Sequence, residues 1–148
     1  MNYEHTKSET MDGKWPIRNL KLRHSRVLMY FSMVAAIGSL SAADAPNKIP
    51  RLRALIAMPP LRRLHAAYQL SGDGGFDRVA ELYNLFLERM ADPGVRSQLL
   101  GLDYAARKDS ALFRELRDNS GELATELARF YETRRQQWNP KFFEYMVL

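Results

Sequence analysis

The chain has 148 residues and carries 22 Lys and Arg against 17 Asp and Glu, a formal net charge of +5 at pH 7. This length is sufficient for one domain with its own hydrophobic core. Because the sequence contains no cysteine, it excludes disulfides, a thiol nucleophile and cysteine-ligated zinc, and it is typical of a reducing compartment. We therefore expect a cytoplasmic protein that needs no metal and no other cofactor.

The charge is unevenly distributed along the chain. Residues 1–70 carry eleven Lys and Arg against four Asp and Glu, a charge of +7, whereas residues 71–148 carry eleven against thirteen, a charge of −2. A basic half of this kind can face an anionic partner such as nucleic acid, although a basic balance also serves solubility alone. Nucleic acid is therefore one candidate partner, through the N-terminal half.

The first fourteen residues are polar and show no hydrophobic periodicity. We predict a disordered polar tail over residues 1–14 and a single all-α domain over residues 15–148. Trp15-Pro16 begins the first helix, because the missing N–H of proline would have no helical partner in a first turn.

The stretch from Arg18 to Ala43 begins with basic residues and continues as an uncharged apolar run. Six residues recur at steps of three and four and so share one stripe of a helix: Ile17, Leu20, His24, Val27, Phe31 and Val34. From Val27 onward apolar residues occur on every side, which is typical of a buried helix. We therefore predict a long central hydrophobic helix around which the other helices pack.

Two other interpretations of this stretch stay open. Positive charges followed by a short apolar region and small residues also fit a signal or anchor segment ending at about Ala43, which would make the protein an exported one. A membrane span is less favoured, because Val27 to Ala43 supplies seventeen uncharged positions where about 20 are needed. A membrane is accordingly a less favoured partner.

Prolines and capping residues divide the rest of the chain. Two prolines within residues 44–50 predict a linker, and Pro59-Pro60 ends one helix and begins the next. Asp92 is predicted to cap a helix that begins at Pro93. Asn119, with a glutamate three residues later, is predicted to cap a new helix that runs to about Trp138. No run of alternating apolar residues indicates a strand, so we predict an all-α bundle of about six to eight helices.

Arg18 and His24 lie on neighbouring turns of the first helix, within the segment Arg18-Asn19-Leu-Lys-Leu-Arg-His24. These seven residues resemble the arginine, polar residue, four to six residues, histidine motif of HEPN-type ribonucleases, which are small all-α proteins. The resemblance implies that Arg18 and His24 bind and cleave a phosphodiester. From the residues themselves, a capping or packing role for His24 is the favoured interpretation, and no other arrangement indicates an enzyme.

Two further groups of residues are candidates for binding. The basic residues of the following helices could form an anion-binding patch: Arg51, Arg53, Arg62, Arg63 and His65. The aromatic C-terminus could dock on the core or remain partly exposed as an interface: Trp138, Phe142, Phe143, Tyr145 and Met146.

Between these groups, the loop Ser71–Gly75 contains Asp73 and lacks the Lys-Ser/Thr ending of a phosphate loop, so we interpret it as a plain turn. The favoured function is a non-catalytic regulatory or scaffold module that binds another protein or a second copy. A basic nucleic-acid or anion-binding domain is the alternative, and a HEPN-like ribonuclease is the second alternative.

Overall fold

The structure, a computed structural model, describes residues 13–43 and 45–145. Every regular element within these ranges is helical, which confirms the all-α prediction. The elements in chain order are α1 (Trp15–Lys21), a π-helix (Leu22–Arg26), α2 (Val27–Ser39), α3 (Ala45–Ala57), α4 (Pro60–Leu70), α5 (Phe76–Ala91), α6 (Pro93–Leu100), a 3-10 helix (Ala105–Lys108), α7 (Ala111–Thr133) and α8 (Pro140–Tyr145). Because α1, the π-helix and α2 follow one another without a break, the α-helical part of the described chain forms seven runs.

Local signals set several helix starts as predicted. Pro16 lies in the first turn of α1, and Pro59 has an extended backbone conformation immediately before α4. Asp92 accepts hydrogen bonds from two backbone N–H groups in the first turn of α6, at 2.7 and 3.1 Å. These N–H groups have no partner within their own helix, so a carboxylate at this position stabilises the start of the helix.

The predicted linker over residues 44–50 is wrong for its described part, since α3 begins at Ala45 and contains Pro50. A proline inside a helix leaves the carbonyl four residues earlier without its usual partner. Here that carbonyl belongs to Pro46, and both prolines are exposed, so water can satisfy it. Residue 44 and most of the predicted tail, residues 1–12, lie outside the described residues.

The predicted cap at Asn119 is also wrong. Asn119 lies in the interior of α7, which is continuous over 23 residues, and its side chain is buried. The hydroxyl of Ser110 instead caps this helix by accepting a hydrogen bond from Phe113 N at 3.2 Å. The helix ends at Thr133, and Trp138 follows in the turn beyond it.

A π-helical segment shifts the phase of the first long helical run. Along α1 the stripe is buried as predicted, at Leu20 and then at His24. A π-helical turn holds more residues than an α-helical turn, so beyond His24 the buried positions move one residue later. Leu28 and Ser32 are buried, in place of the predicted Val27 and Phe31, which are only partly covered, whereas Val34 is buried as predicted.

The residue contacts divide the chain into two units. The first combines the described residues up to Arg26 with Glu81–Leu123, and the second combines Val27–Ala80 with the described residues from Ala124 onward. The first unit has one hydrophobic cluster of seven buried residues: Trp15, Ile17, Leu20, Phe86, Leu99, Phe113 and Leu116.

In the second unit, α2 packs most extensively against α4 and also contacts α3. Ala36, Leu40 and Leu55 form a small cluster there, and the rings of Tyr68 and Phe130 stack at a centroid distance of 3.9 Å. The helix predicted to be central, α2, therefore contacts both α3 and α4. No described helix has both the length and the apolar content needed to cross a membrane.

Candidate functional site

His24, the proposed catalytic histidine of the ribonuclease resemblance, is completely buried. Its Nδ1 lies 2.8 Å from the carbonyl oxygen of Leu20. Because a carbonyl can only accept, Nδ1 carries the hydrogen of this bond. The imidazole also stacks on Phe86, with centroids 4.0 Å apart and planes inclined by 4°. The ring is thus held on both its edge and its face by the core of the first unit.

Burial lowers the pKa of His24 below its ordinary value of 6.5, an effect that the hydrogen bonds to Leu20 and Asn119 oppose and that Arg23 reinforces. The Nε2 atom lies 2.9 Å from Oδ1 of Asn119. The near-symmetric amide of Asn119 can present its oxygen to a protonated ring or its NH2 group to a neutral one. Asn119 is therefore the partner that sequence reasoning missed, because it lies 95 positions away along the chain.

The structure does not bring Arg18 and His24 to a common surface. Arg18 is exposed on α1, whereas the His24 ring has no exposed atom surface for a substrate to reach. A general base must come within hydrogen-bonding distance of the group from which it takes a proton. The geometry therefore favours the packing role for His24.

Arg63 does not belong to an exposed anion-binding patch, and this part of the prediction is wrong. Its guanidinium is buried and donates to the carbonyl oxygens of Leu55, Ile56 and Met58 at 3.1, 2.9 and 2.9 Å. A further bond joins it to the hydroxyl of Ser32 at 3.3 Å. The last carbonyls of a helix have no partner within that helix, so Arg63 caps the C-terminal end of α3 and ties it to α2.

The remaining basic candidates stay at the surface. Arg51 and Arg53 are exposed on α3, and Arg62 and His65 are exposed on α4. The imidazole of His65 stacks on Phe76 at a centroid distance of 4.5 Å. Exposed cations are thus spread over both helices and are not gathered at one point.

A groove runs between α3 and α4. Its cavity has a volume of about 390 Å³, and its lining combines apolar side chains with one cation and one amide: Arg51, Ala54, Leu55, Ala66, Gln69 and Leu70. Leu70 is 46% exposed at its rim. The groove exists because both helices have alanine, a small residue, where they face each other. It is a concave apolar surface with a positive charge at one end.

The C-terminal aromatic residues divide into buried and exposed members. Trp138 is buried, which corrects its assignment to an interface, and its ring meets that of Phe142 edge-on at 5.2 Å. Phe142 and Phe143 are half-buried, whereas Tyr145 is 83% exposed. Met146 lies outside the described residues. Core docking therefore accounts for most of this segment.

The glycine-rich loop Ser71–Gly75 is held by an ion pair that the sequence does not reveal. Nη2 of Arg134 lies 2.5 Å from Oδ2 of Asp73, and both side chains are more than nine-tenths buried. Nη1 of the same guanidinium donates to the carbonyl oxygen of Ser71 at 2.8 Å, and Gly75 N donates to Oδ1 of Asp73 at 2.8 Å. The carboxylate of Asp73 is thus paired with Arg134 and bonded within its own loop, in agreement with the interpretation of a plain turn.

An apolar surface on α2 was missed by the prediction that this helix is buried all round. Met29, Tyr30 and Ile37 are 54%, 43% and 42% exposed, and Met33 is partly exposed between them. Met29, Met33 and Ile37 recur every four residues, so they share one helical face. That spacing was visible in the sequence, but the phase of the buried stripe was not, because the π-helix sets it. We call these four residues the α2 surface.

Neither a protein family model, a curated protein nor a solved structure matches the chain. The described residues contain no group of three or more His, Asp or Glu that could hold a metal ion. The function must therefore be inferred from the surfaces of this chain alone.

Proposed function

We propose that the protein is a non-catalytic helical module that binds another protein or a second copy of itself. The observation that carries the proposal is the α2 surface, where large apolar side chains are exposed next to one another on one helix. Val27–Ser39 contains no charged residue, so covering this helix by a partner removes no charge from water. Exposed apolar patches of this kind typically mark interaction sites.

The residue types of the α2 surface fit a protein partner. Methionine adapts its shape to an opposing surface, and tyrosine is enriched among the residues that dominate interface energies. Phosphates and sugars provide little apolar area for Met29 or Ile37 to contact. The α2 surface therefore favours a protein over a nucleic acid as its partner.

A photo-crosslinking amino acid in place of Tyr30 tests the proposal in cells. We expect a discrete crosslinked species, of twice the chain mass for a second copy and of another mass for a different protein. Ile37→Glu in the same chain should abolish it, because a buried unpaired carboxylate is costly. The control is the same amino acid in place of Gln136, which is also exposed in the second unit. A Tyr30 crosslink that survives Ile37→Glu, or no crosslink, contradicts the proposal.

Anion binding is the second candidate function, and one observation favours it. Residues 45–70 contain five Lys and Arg and no Asp or Glu, and Arg51, Arg53 and Arg62 are exposed. Binding of DNA through these residues should fall linearly with the logarithm of salt concentration, because displaced counterions drive it. Replacing all three arginines by glutamine should reduce retention on immobilised DNA or heparin at low salt. Unchanged retention excludes these residues as the binding surface.

A further inference from the structure

The groove between α3 and α4 has different types of side chain at its ends and in its middle. Arg51, midway along α3, shares the groove with Gln69 and Leu70 at the end of α4, and Leu55, one turn after Arg51, packs near Ala66. The two helices are therefore antiparallel, joined by the short turn before Pro60. Small and aliphatic side chains form the middle of the groove.

A second cation marks the other end. Arg62, Ala66 and Gln69 are spaced four and three residues apart, so they share one face of α4, and Ala66 and Gln69 line the groove. Arg62 is exposed and lies seven residues before Gln69, about 10 Å along the helix axis at 1.5 Å per residue. The apolar middle thus lies between Arg51 and Arg62, two helical turns apart.

These cations are not neutralised within the described chain. Neither helix contains an acidic residue, and neither Arg51 nor Arg62 forms an ion pair with any residue that the structure describes. Two of the three other cations of these helices, Arg63 and Lys48, donate to backbone carbonyl oxygens, and the third is Arg53. Within the part of the chain that the structure describes, the charge at the two ends has no carboxylate partner.

We propose that this groove binds an acidic amphipathic helix of a partner protein. Two consecutive apolar residues of the partner helix fill the middle of the groove. Two carboxylates, seven positions apart and placed before and after these apolar residues, pair with Arg51 and Arg62. The spacing follows because seven residues of the bound helix also span about 10 Å, and helices bind in grooves through anchors at such intervals. The groove is a different surface from the α2 surface, so this inference goes beyond the proposed function.

The shape and charge of the groove favour this occupant over other anions. A nucleic acid would place its regularly spaced charges against Ala54, Leu55 and Leu70, which offer no compensating group. A helix with apolar residues between two carboxylates satisfies both the cations and the apolar middle.

The test is a fluorescence anisotropy titration of the full chain with a labelled, alanine-based helical peptide. The peptide carries two glutamates seven positions apart with two leucines midway between them. Arg51→Glu and Arg62→Glu should each weaken its binding at least tenfold. The matched control is Arg53→Glu, which makes the same charge change on α3 two residues after Arg51, about 200° around the helix at 3.6 residues per turn and so away from the groove, and should alter binding less than threefold. Replacing the two leucines of the peptide by alanine should also weaken binding at least tenfold.

Several results would overturn the proposal. These are no binding of the peptide, equal binding when its glutamates are replaced by lysines, or an equal loss with Arg53→Glu. Binding of single-stranded RNA or phosphatidylglycerol vesicles that depends on Arg51 and Arg62, with none of the peptide, would assign the groove to a different anion. Because the Tyr30 crosslink reports on the α2 surface, it can succeed while the peptide fails, and the two proposals are thereby separated.

Discussion

The indole ring of Trp138 lies directly against the backbone of Gly38. A methyl group at residue 38 would overlap three atoms of the ring. The hydroxyl of Ser41 also accepts a hydrogen bond from Asn139 N at 3.0 Å. The segment that follows α7 thus docks on the end of α2 through a contact that requires glycine.

Gly38→Ala should therefore lower the free energy of unfolding by about 1–3 kcal/mol, the usual cost of overpacking a core. Urea denaturation followed by circular dichroism measures it. The control is Gly121→Ala in the middle of α7, where the added Cβ would have no atom within 4 Å. That change should raise stability by about 0.5–1 kcal/mol, because alanine is the better helix former. Equal stabilisation by both changes would show that Trp138 does not pack on Gly38.

Arg63→Lys should cost about 2 kcal/mol of stability. A lysine ammonium cannot reproduce the fork of donors that reaches three carbonyl oxygens at the end of α3, and buried carbonyls without partners are destabilising. Arg62→Lys on the neighbouring, exposed position should change stability by less than about 0.5 kcal/mol. If both variants unfold at the same urea concentration, Arg63 does not cap α3.

The buried imidazole of His24 should make the protein less stable in acid. Its pKa is lowered by burial, so below pH 6.5 the unfolded chain binds a proton that the folded chain binds only at lower pH. The free energy of unfolding therefore falls as the pH falls from 6.5 toward the folded pKa, by at most about 1.4 kcal/mol per pH unit.

Urea titrations between pH 8 and pH 5 measure this slope. We expect His24→Gln to reduce it, because a glutamine amide does not titrate and the lowered pKa of His24 is then absent. A slope that persists in His24→Gln would place its origin in another group.

The Asp73–Arg134 ion pair should be important for stability. Arg134→Met removes the cation that contacts the buried carboxylate of Asp73 directly, and breaking a buried pair in this way typically costs about 3–5 kcal/mol. Arg117→Met is the control, because Arg117 pairs with Asp118 at an exposed site, where the side chains are 45% and 63% accessible. Exposed pairs contribute about 0–1 kcal/mol. Similar losses in both variants would mean that burial does not strengthen the Asp73 pair.

Local chemistry in the sequence determined the helical class and several of the helix limits. Pro16, Pro60 and Asp92 act on the turn in which they lie, so their effect can be predicted without any knowledge of distant residues. Pro50 and Asn119 show where such reasoning fails. Pro50 lies on an exposed side of α3 that tolerates it, and Asn119 is held within α7, where its amide faces His24.

The candidate binding surfaces could not be predicted from the sequence, because they depend on how the helices pack. The spacing of Arg51 and Arg62 was present in the sequence, but the groove between them exists only because α3 and α4 lie antiparallel. Arg62 and Arg63 each have one leucine and one arginine beside them in the sequence. Arg63 is nevertheless buried, because it lies on the face of α4 that packs against other helices. Exposure of a cation is therefore decided by the packing of helices.

The sequence by itself determined that this chain is helical, that its N-terminal half is basic and acid-poor, and that no cysteine chemistry is available, since each follows from residue type and short-range spacing. Only the tertiary structure decided which face of α2 is exposed and which polar groups are buried in pairs. The π-helix rotates the later part of the stripe by about one residue, so Ser32 is buried and Met29 is exposed. Asp73 and Arg134 meet across 61 positions of the chain, and contacts at that separation depend on the packing of whole helices.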